Sequence, residues 1–326
     1  MKKVIGMGNA LVDVLVRIDD DKLLEKFGLP KGSMQLVDKE KSQMIIGALS
    51  HLKYDIASGG SAANTINGLA NLGLATGYIG KIHEDKFGEI FRKDMTEKGI
   101  VAFLLSGSQD TGIATTLISP DSQRTFGTYL GAAVELAAAD IRPEYFDDYD
   151  YFHIEGYLVQ NHELIETAVK LASRAGLKVS IDLASYNVVE ANLEFLKKLV
   201  HDYVDIVFAN EEESKAFTGL EAEAALEEIA KMCEMAIVKV GAKGSLVKAG
   251  SDQVSVGAIK ANPLDTTGAG DLYAAGFLFG LSNNYSLEKC AQLGGLLGGN
   301  VIEVIGPKMN ATRWDAVKAR VAEIGV

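Results

Sequence analysis

Cysteine is scarce. Two residues in 326, Cys233 and Cys290, are too few for a disulfide framework and lack metal-ligand spacing. Five scattered histidines form no H-E-x-x-H and no C-x-x-C occurs, so there is no zinc signature. Long hydrophobic runs are missing too: the most apolar stretch, near Leu272–Leu281, is about half the ~20 residues that span a bilayer. Basic charge is in deficit, with 32 Lys and Arg against 44 Asp and Glu, a net charge of −12. That balance argues against nucleic acid as a main partner, because phosphate backbones select basic surfaces. It leaves room for a small polyanion held locally by backbone amides and a metal ion. The charged start Met1–Gly6 imitates a signal peptide, but Asn9 and Asp13 interrupt the apolar run too early. The expectation is a soluble, cytoplasmic protein with no membrane partner, acting as a monomer or homodimer.

Two common nucleotide motifs are also absent. Gly6-Met7-Gly8-Asn9-Ala10-Leu11 has Leu where G-x-G-x-x-G needs its third glycine, and no G-x-x-x-x-G-K-[ST] occurs. There is no internal repeat and no low-complexity segment. What is present is apolar material, 48% of residues, enough to offset the ordering entropy of a folded chain.

Short apolar runs alternate with amphipathic stretches for most of the length. Val4–Gly8, Ala75–Ile79, Tyr151–Ile154, Val179–Asp182, Ile206–Ala209 and Ala236–Val240 read as strands. Ser61–Leu72, Asp85–Lys98, His162–Ala175, Gly268–Leu281, Leu287–Val301 and Thr312–Ile324 read as helices, with Leu164, Ala168, Leu171, Ala172 and Ala175 on one helical face. This alternation predicts an α/β fold with a mostly parallel central sheet flanked by helices. Two segments, approximately 13–38 and 100–133, carry strand-like pieces without helical partners. Ile113–Ile118 and Arg124–Leu130 flank a turn, Ser119-Pro120-Asp121-Ser122. We expect one domain over 1–326, with these inserts forming a small β-sheet lid; an antiparallel extension of the main sheet would produce the same pattern.

Four motifs carry chemistry. In Asp265-Thr266-Thr267-Gly268-Ala269-Gly270-Asp271, glycines lead into an apolar helix. Unpaired amides and the macrodipole there favour a phosphate or the charge on a moving phosphoryl group. Asp271, at the mouth, can take a proton from an attacking hydroxyl, although an Asp N-cap worth about 1 kcal/mol would look the same. Asn210-Glu211-Glu212-Glu213 follows a strand, at the edge where open α/β sheets bind ligands. One carboxylate acting through water suffices for Mg²⁺, and an acidic first turn is the plainer alternative. Ser58-Gly59-Gly60-Ser61-Ala62-Ala63-Asn64-Thr65 combines close backbone approach with an amide suited to hydroxyls. Asp13 can accept two hydrogen bonds from vicinal hydroxyls, as ribose recognition requires.

The run Asp265–Asp271 resembles the signature of the ribokinase-like (PfkB) kinases, which phosphorylate sugar and nucleoside hydroxymethyl groups with ATP. The resemblance spans nearly the whole chain, and it implies a three-layer sandwich with a lid. It identifies Asp271 as catalytic base and Gly268, Ala269 and Gly270 as the anion hole. It places Asn210, Gly241, Gly244, Gly268 and Gly270 near ATP, Glu213 near Mg²⁺ through water, and Asp265, with Thr267, near a monovalent cation such as K⁺. Gly8-Asn9, Asp13 and Ser33-Met34-Gln35-Leu36-Val37-Asp38 are similar to the adenosine kinase branch. That likeness would set Asn9, Asp13, Gly59, Gly60 and Asn64 around the ribose and Gln35 near the nucleoside. Tyr157 or Phe126 would stack on the base, and Arg124 would meet phosphate on lid closure. Two departures stand out. Asp182-Leu183-Ala184 lacks the Asn of the D-x-N found in sugar-specific relatives, and Lys239 replaces the Thr usual before the Gly241–Gly244 pair. The alternative is a sugar kinase for ribose, fructose or 2-keto-3-deoxygluconate; a pyridoxal-type kinase fits the inserts less well, and a non-catalytic sensor fits Asp265–Asp271 less well.

Overall fold

The computed structural model describes residues 2–121 and 123–325. Its strands are β1 (Val4–Met7), β2 (Leu11–Arg17), β3 (Met34–Leu36), β4 (Tyr54–Gly59), β5 (Thr76–Ile82), β6 (Val101–Ser106), β7 (Thr111–Ile118), β8 (Arg124–Gly131), β9 (Tyr151–Glu155), β10 (Lys178–Asp182), β11 (Ile206–Asn210), β12 (Met235–Lys239), β13 (Ser245–Ala249) and β14 (Asp252–Val256). They form a nine-stranded sheet, ordered β14-β13-β12-β11-β10-β9-β1-β5-β6, and a five-stranded sheet, ordered β3-β8-β7-β2-β4.

Every neighbouring pair from β12 to β6 is parallel. Parallel strands need both faces covered, and their residues divide accordingly. Ile5 and Met7 enter the core beneath helices His162–Arg174 and Leu193–Tyr203. Val4 faces the core beneath helices Ser61–Asn71, Ala269–Ser282 and Leu287–Val301. Helix Ala269–Ser282 is apolar on nearly every side because it lies between helices as well as on the sheet. At Gly276 an added Cβ would sit 2.3 Å from the Leu293 carbonyl oxygen, so only glycine lets those two helices approach. From β1 the order runs one way to β5 and the other way to β9. This is the switch point at which open α/β sheets form a crevice beyond their carboxyl ends.

The smaller sheet is separate from the main one. Its outer face packs Val14, Val16, Ile113 and Leu117 beneath Leu24, Ile45 and Leu49. The alternation of a strand then turns Leu11, Ala114, Thr128 and Leu130 inward, over the carboxyl edge of the main sheet. Its boundaries differ from the expected inserts. Val101–Ser106 pairs parallel with β5 and extends the main sheet instead. Tyr54–Gly59, outside both inserts, pairs antiparallel with β2. The hairpin β13–β14 was also not foreseen; it turns through Gly250 and Ser251, with Gly250 at φ 57°. Ser122 of the expected turn lies outside the described residues. Among the described residues, no helix is long and apolar enough to cross a membrane.

Candidate active site

Helix Ala269–Ser282 starts behind Gly268, which adopts the left-handed φ of 76°. The Ala269 amide donates to the Thr266 carbonyl at 3.1 Å. It is therefore used within the turn, which removes Ala269 from the expected anion hole. The amides of Gly270 and Asp271 come next, with no backbone acceptor among the described residues. Both residues line a cavity of about 460 Å³ together with Asp13, Gly60, Ser61, Asn64, Tyr157, Asp182, Asn210, Glu213 and Lys239. A helix start of this kind attracts anions.

The Asp271 carboxylate is held by the other half of the chain. Ser61 Oγ donates to Oδ1 at 2.7 Å and Asn64 Nδ2 donates to Oδ2 at 2.9 Å, while Thr65 Oγ1 donates to the Asp271 carbonyl at 3.1 Å. Burial pushes the Asp271 carboxyl up to about 6; Ser61 and Asn64 oppose the rise, and the Asp182 charge adds to it. A carboxylate so tuned is ionised near neutrality yet basic enough to accept a proton. Asn64 was expected at the ribose. Its amide N–H₂ instead orients Asp271, and its Oδ1 is buried without a partner.

Ser61 and Asn64 are placed by the glycine pair ahead of them. Gly60 has φ 96°, and a Cβ there would lie 2.2 Å from the Asn9 carbonyl oxygen. A Cβ on Gly59 would lie 2.4 Å from the Asp13 carboxylate. Both positions require glycine for close approach, and together they bring Asp13 to the cavity. Burial pushes the Asp13 carboxyl up to about 7, with Lys308 opposing and Asp271 reinforcing. Lys308 belongs to no recognised motif. Its Nζ donates to Ser58 Oγ at 2.9 Å and pairs with Asp94 at 3.2 Å.

Asn9 lines a second, larger cavity of about 700 Å³ that shares Gly60, Ser61 and Tyr157 with the first. Its backbone and side-chain N–H groups donate to Glu155 Oε1 at 2.9 and 2.7 Å, and Ala62 N–H donates to Oε2 at 3.0 Å. Glu155 is 1% exposed and its carboxyl is pushed by burial up to about 7. It joins β9, β1 and helix Ser61–Asn71 at the switch point. Sequence reading missed it, although an acid closing the apolar run Tyr151–Ile154 was a signal. Most of the larger cavity is apolar, with Leu11, Leu36, Leu130, Leu136, Leu158 and Val188 in its walls.

Other expected residues fall elsewhere. Gln35 does not line either cavity; strand alternation sends Met34 and Leu36 there, and Gln35 Nε2 donates to Ser33 Oγ at 3.1 Å. Phe126 is likewise outside both linings, whereas Tyr157 lines both and donates to the Ala184 carbonyl at 3.4 Å. Gly241 and Gly244 lie beyond the linings, at the turn after β12, where a Gly244 Cβ would clash with the Val256 carbonyl oxygen. Arg124 is ion-paired with Asp265 and donates to Thr267 Oγ1 at 3.1 Å, so it is not a free lid arginine. Asp265 also accepts from Thr267 N–H at 2.8 Å and from Gly306 N–H. A monovalent cation beside it would face a guanidinium, so Asp265 does not fit as an open cation ligand.

Asn210 and Glu213 form a reciprocal capping box: Asn210 N–H and Nδ2 each donate to Glu213 at 2.8 Å, and Glu213 N–H donates to Asn210 Oδ1 at 2.8 Å. Burial raises the Glu213 carboxyl, with Lys239 opposing. Among the described residues no cluster of three His, Cys, Asp or Glu could cage a metal. Mg²⁺ held mainly by waters and phosphate needs no such cage, so a water-mediated contact to Glu213 fits. Lys239, which stands where the family usually has Thr, ends β12 and is ion-paired with Asp182 at 2.6 Å inside the smaller cavity.

A helix start that attracts anions, a carboxylate raised by burial and a larger, mainly apolar cavity thus lie side by side at the carboxyl edge of the sheet. The chain belongs to the pfkB carbohydrate kinase family, whose model matches residues 34–313. It is similar to a solved adenosine kinase from Sinorhizobium meliloti, at 37% identity over 98% of this chain and 99% of that one, with a TM-score of 0.88. A probable sugar kinase from Rhizobium etli is 33% identical, covers 99% of both chains and has a TM-score of 0.89. The adenosine kinase of Schizophyllum commune is 27% identical over 97% of this chain and 98% of its own length. The chain is thus a kinase, and its family implies ATP as donor.

Proposed function

We propose that this kinase transfers the γ-phosphoryl group of ATP to the 5′-hydroxyl of adenosine or a closely related nucleoside. One observation carries the reading: the cavity lined by Asp271 shares Gly60, Ser61 and Tyr157 with a larger, mainly apolar one of about 700 Å³. A purine has flat apolar faces that such walls accommodate, whereas a free sugar would leave them unfilled. Tyr157 lies where the two cavities meet, in position to contact the base or the ribose. Asp13 and Asn9 supply the acceptor and donor groups that ribose hydroxyls need.

In this reading Asp271, oriented by Ser61 and Asn64, takes the proton of the 5′-hydroxyl as its oxygen attacks phosphorus. The Gly268, Gly270 and Asp271 amides stabilise charge on the transferred group. Mg²⁺, held through water near the Asn210–Glu213 box, would supply charge neutralisation of the polyphosphate. The smaller sheet acts as a lid that excludes water and suppresses ATP hydrolysis. A cytoplasmic setting supplies both ATP and Mg²⁺.

The test is ADP release across a panel of adenosine, inosine, ribose, fructose and 2-keto-3-deoxygluconate. Adenosine should give the highest kcat/KM. A free sugar preferred by about tenfold would replace the nucleoside reading with a sugar kinase one, at a difference of about 1.4 kcal/mol in transition-state stabilisation.

A further inference from the structure

We infer that Lys239 binds the phosphate chain of the donor and is a phosphate-contacting catalytic residue of this kinase. The inference rests on the smaller cavity being the phosphoryl-transfer site, as proposed above. Lys239 ends β12, two strands from Asp182 at the end of β10, with β11 between them. Its side chain therefore crosses the carboxyl edge of the sheet to reach Asp182 Oδ2 at 2.6 Å. On its other side, a Cβ added to Gly270 would lie 3.1 Å from Lys239 Nζ. The ammonium thus sits against the helix start whose amides are aimed at an anion.

The charge balance of the cavity makes this position matter. Asp13, Asp182, Glu213 and Asp271 line it, and Lys239 is the one cation among its described lining residues. A triphosphate entering four carboxylates meets repulsion that amide dipoles alone offset poorly. An ammonium has three N–H donors. Asp182 takes one, which leaves two for oxygens in the cavity. The side chain is 15% exposed, so it is screened little by solvent while still reaching the cavity. The plainer explanation is that Lys239 only neutralises Asp182, and the experiment separates the two.

The measurements are the affinity for the β,γ-imido analogue of ATP with Mg²⁺, the affinity for adenosine, and kcat. They are made on wild type, Asp182→Asn, Lys239→Met and the double variant Lys239→Met/Asp182→Asn. The single lysine change strands a buried carboxylate and can cost folding; the double variant removes both charges and protects against that. Thermal melts verify the fold of each. We expect the double variant to bind the ATP analogue at least tenfold more weakly than Asp182→Asn and to turn over at least tenfold more slowly, with adenosine affinity unchanged. Equal analogue affinity in the double variant and Asp182→Asn would overturn the inference and leave Lys239 a structural counter-ion. The analogue measurement needs no acceptor. A wild type that binds the analogue but phosphorylates no nucleoside would sink the acceptor reading alone.

Discussion

The guanidinium of Arg124, at the first residue of β8, is ion-paired with the carboxylate of Asp265 at the start of the glycine-rich loop. The two side chains are 9% and 1% exposed, so neither charge has much water to fall back on. Removing one partner of a buried pair strands the other, at about 3–5 kcal/mol. Arg124→Met should therefore destabilise the protein by that order, and Arg124→Met/Asp265→Asn should recover part of the loss. Urea denaturation of the two variants is the measurement; equal losses would show that the charges are not coupled.

Asp271 is the proposed base, and its carboxyl is pushed up by burial to about 6. A base works ionised, so kcat/KM for the nucleoside should fall as pH drops through about 6. Ser61 holds the carboxyl down, so Ser61→Ala should move this acid limb to higher pH. Asp271→Asn should keep adenosine binding by calorimetry and lose at least ~10² in kcat. Turnover near wild type in that variant would take the role away from Asp271.

Stability should depend on pH in an unusual direction near neutrality. Asp13 and Glu155 are both raised by burial to about 7, above their unfolded values, so the folded state binds more protons than the unfolded chain in the interval between. Their contribution is full below the unfolded pKa and is lost as pH rises through the folded one. The melting temperature should decline between about pH 5 and about pH 8, and Asp13→Asn should flatten the slope. A melting temperature that climbs across that interval would contradict the burial of these acids.

Ala114 sits on the inward face of β7 and lines the larger cavity. Ala114→Phe should fill part of the proposed purine space and raise the KM for adenosine by roughly tenfold, since steric overlap of a few methylenes costs about 1–3 kcal/mol. If the KM stays put, the base lies elsewhere.

Much of this architecture was legible in the chain. The alternation of apolar runs and helical stretches points to a parallel sheet covered on both faces, and the six helices with expected limits begin and end within a residue of them, whereas helices such as Lys39–Ala48 and Leu193–Tyr203 had no expected limits. Three separated motifs, around Gly60, Asn210 and Asp271, converge on one cavity. What escaped reading was the pairing of single residues. Gln35 and its neighbours differ only in which face of β3 they occupy, and a shift of one residue reverses that. Glu155, Lys308 and Lys239 act through partners more than fifty residues away, so no local spacing reveals them. Arg124 looked free because its partner, Asp265, comes from another part of the chain.

The bond between Ser61 and Asp271 joins residues 210 positions apart. During synthesis, the early helix that carries Ser61 must wait for most of the remaining chain to leave the ribosome before its partner exists. Until then its apolar face, destined for helix Ala269–Ser282, stays open to other contacts. Such remote pairing slows folding and leaves an aggregation-prone interval. A nascent chain stalled before residue 271 would lack the carboxylate altogether, so the two sides of this site meet only once both segments have been made.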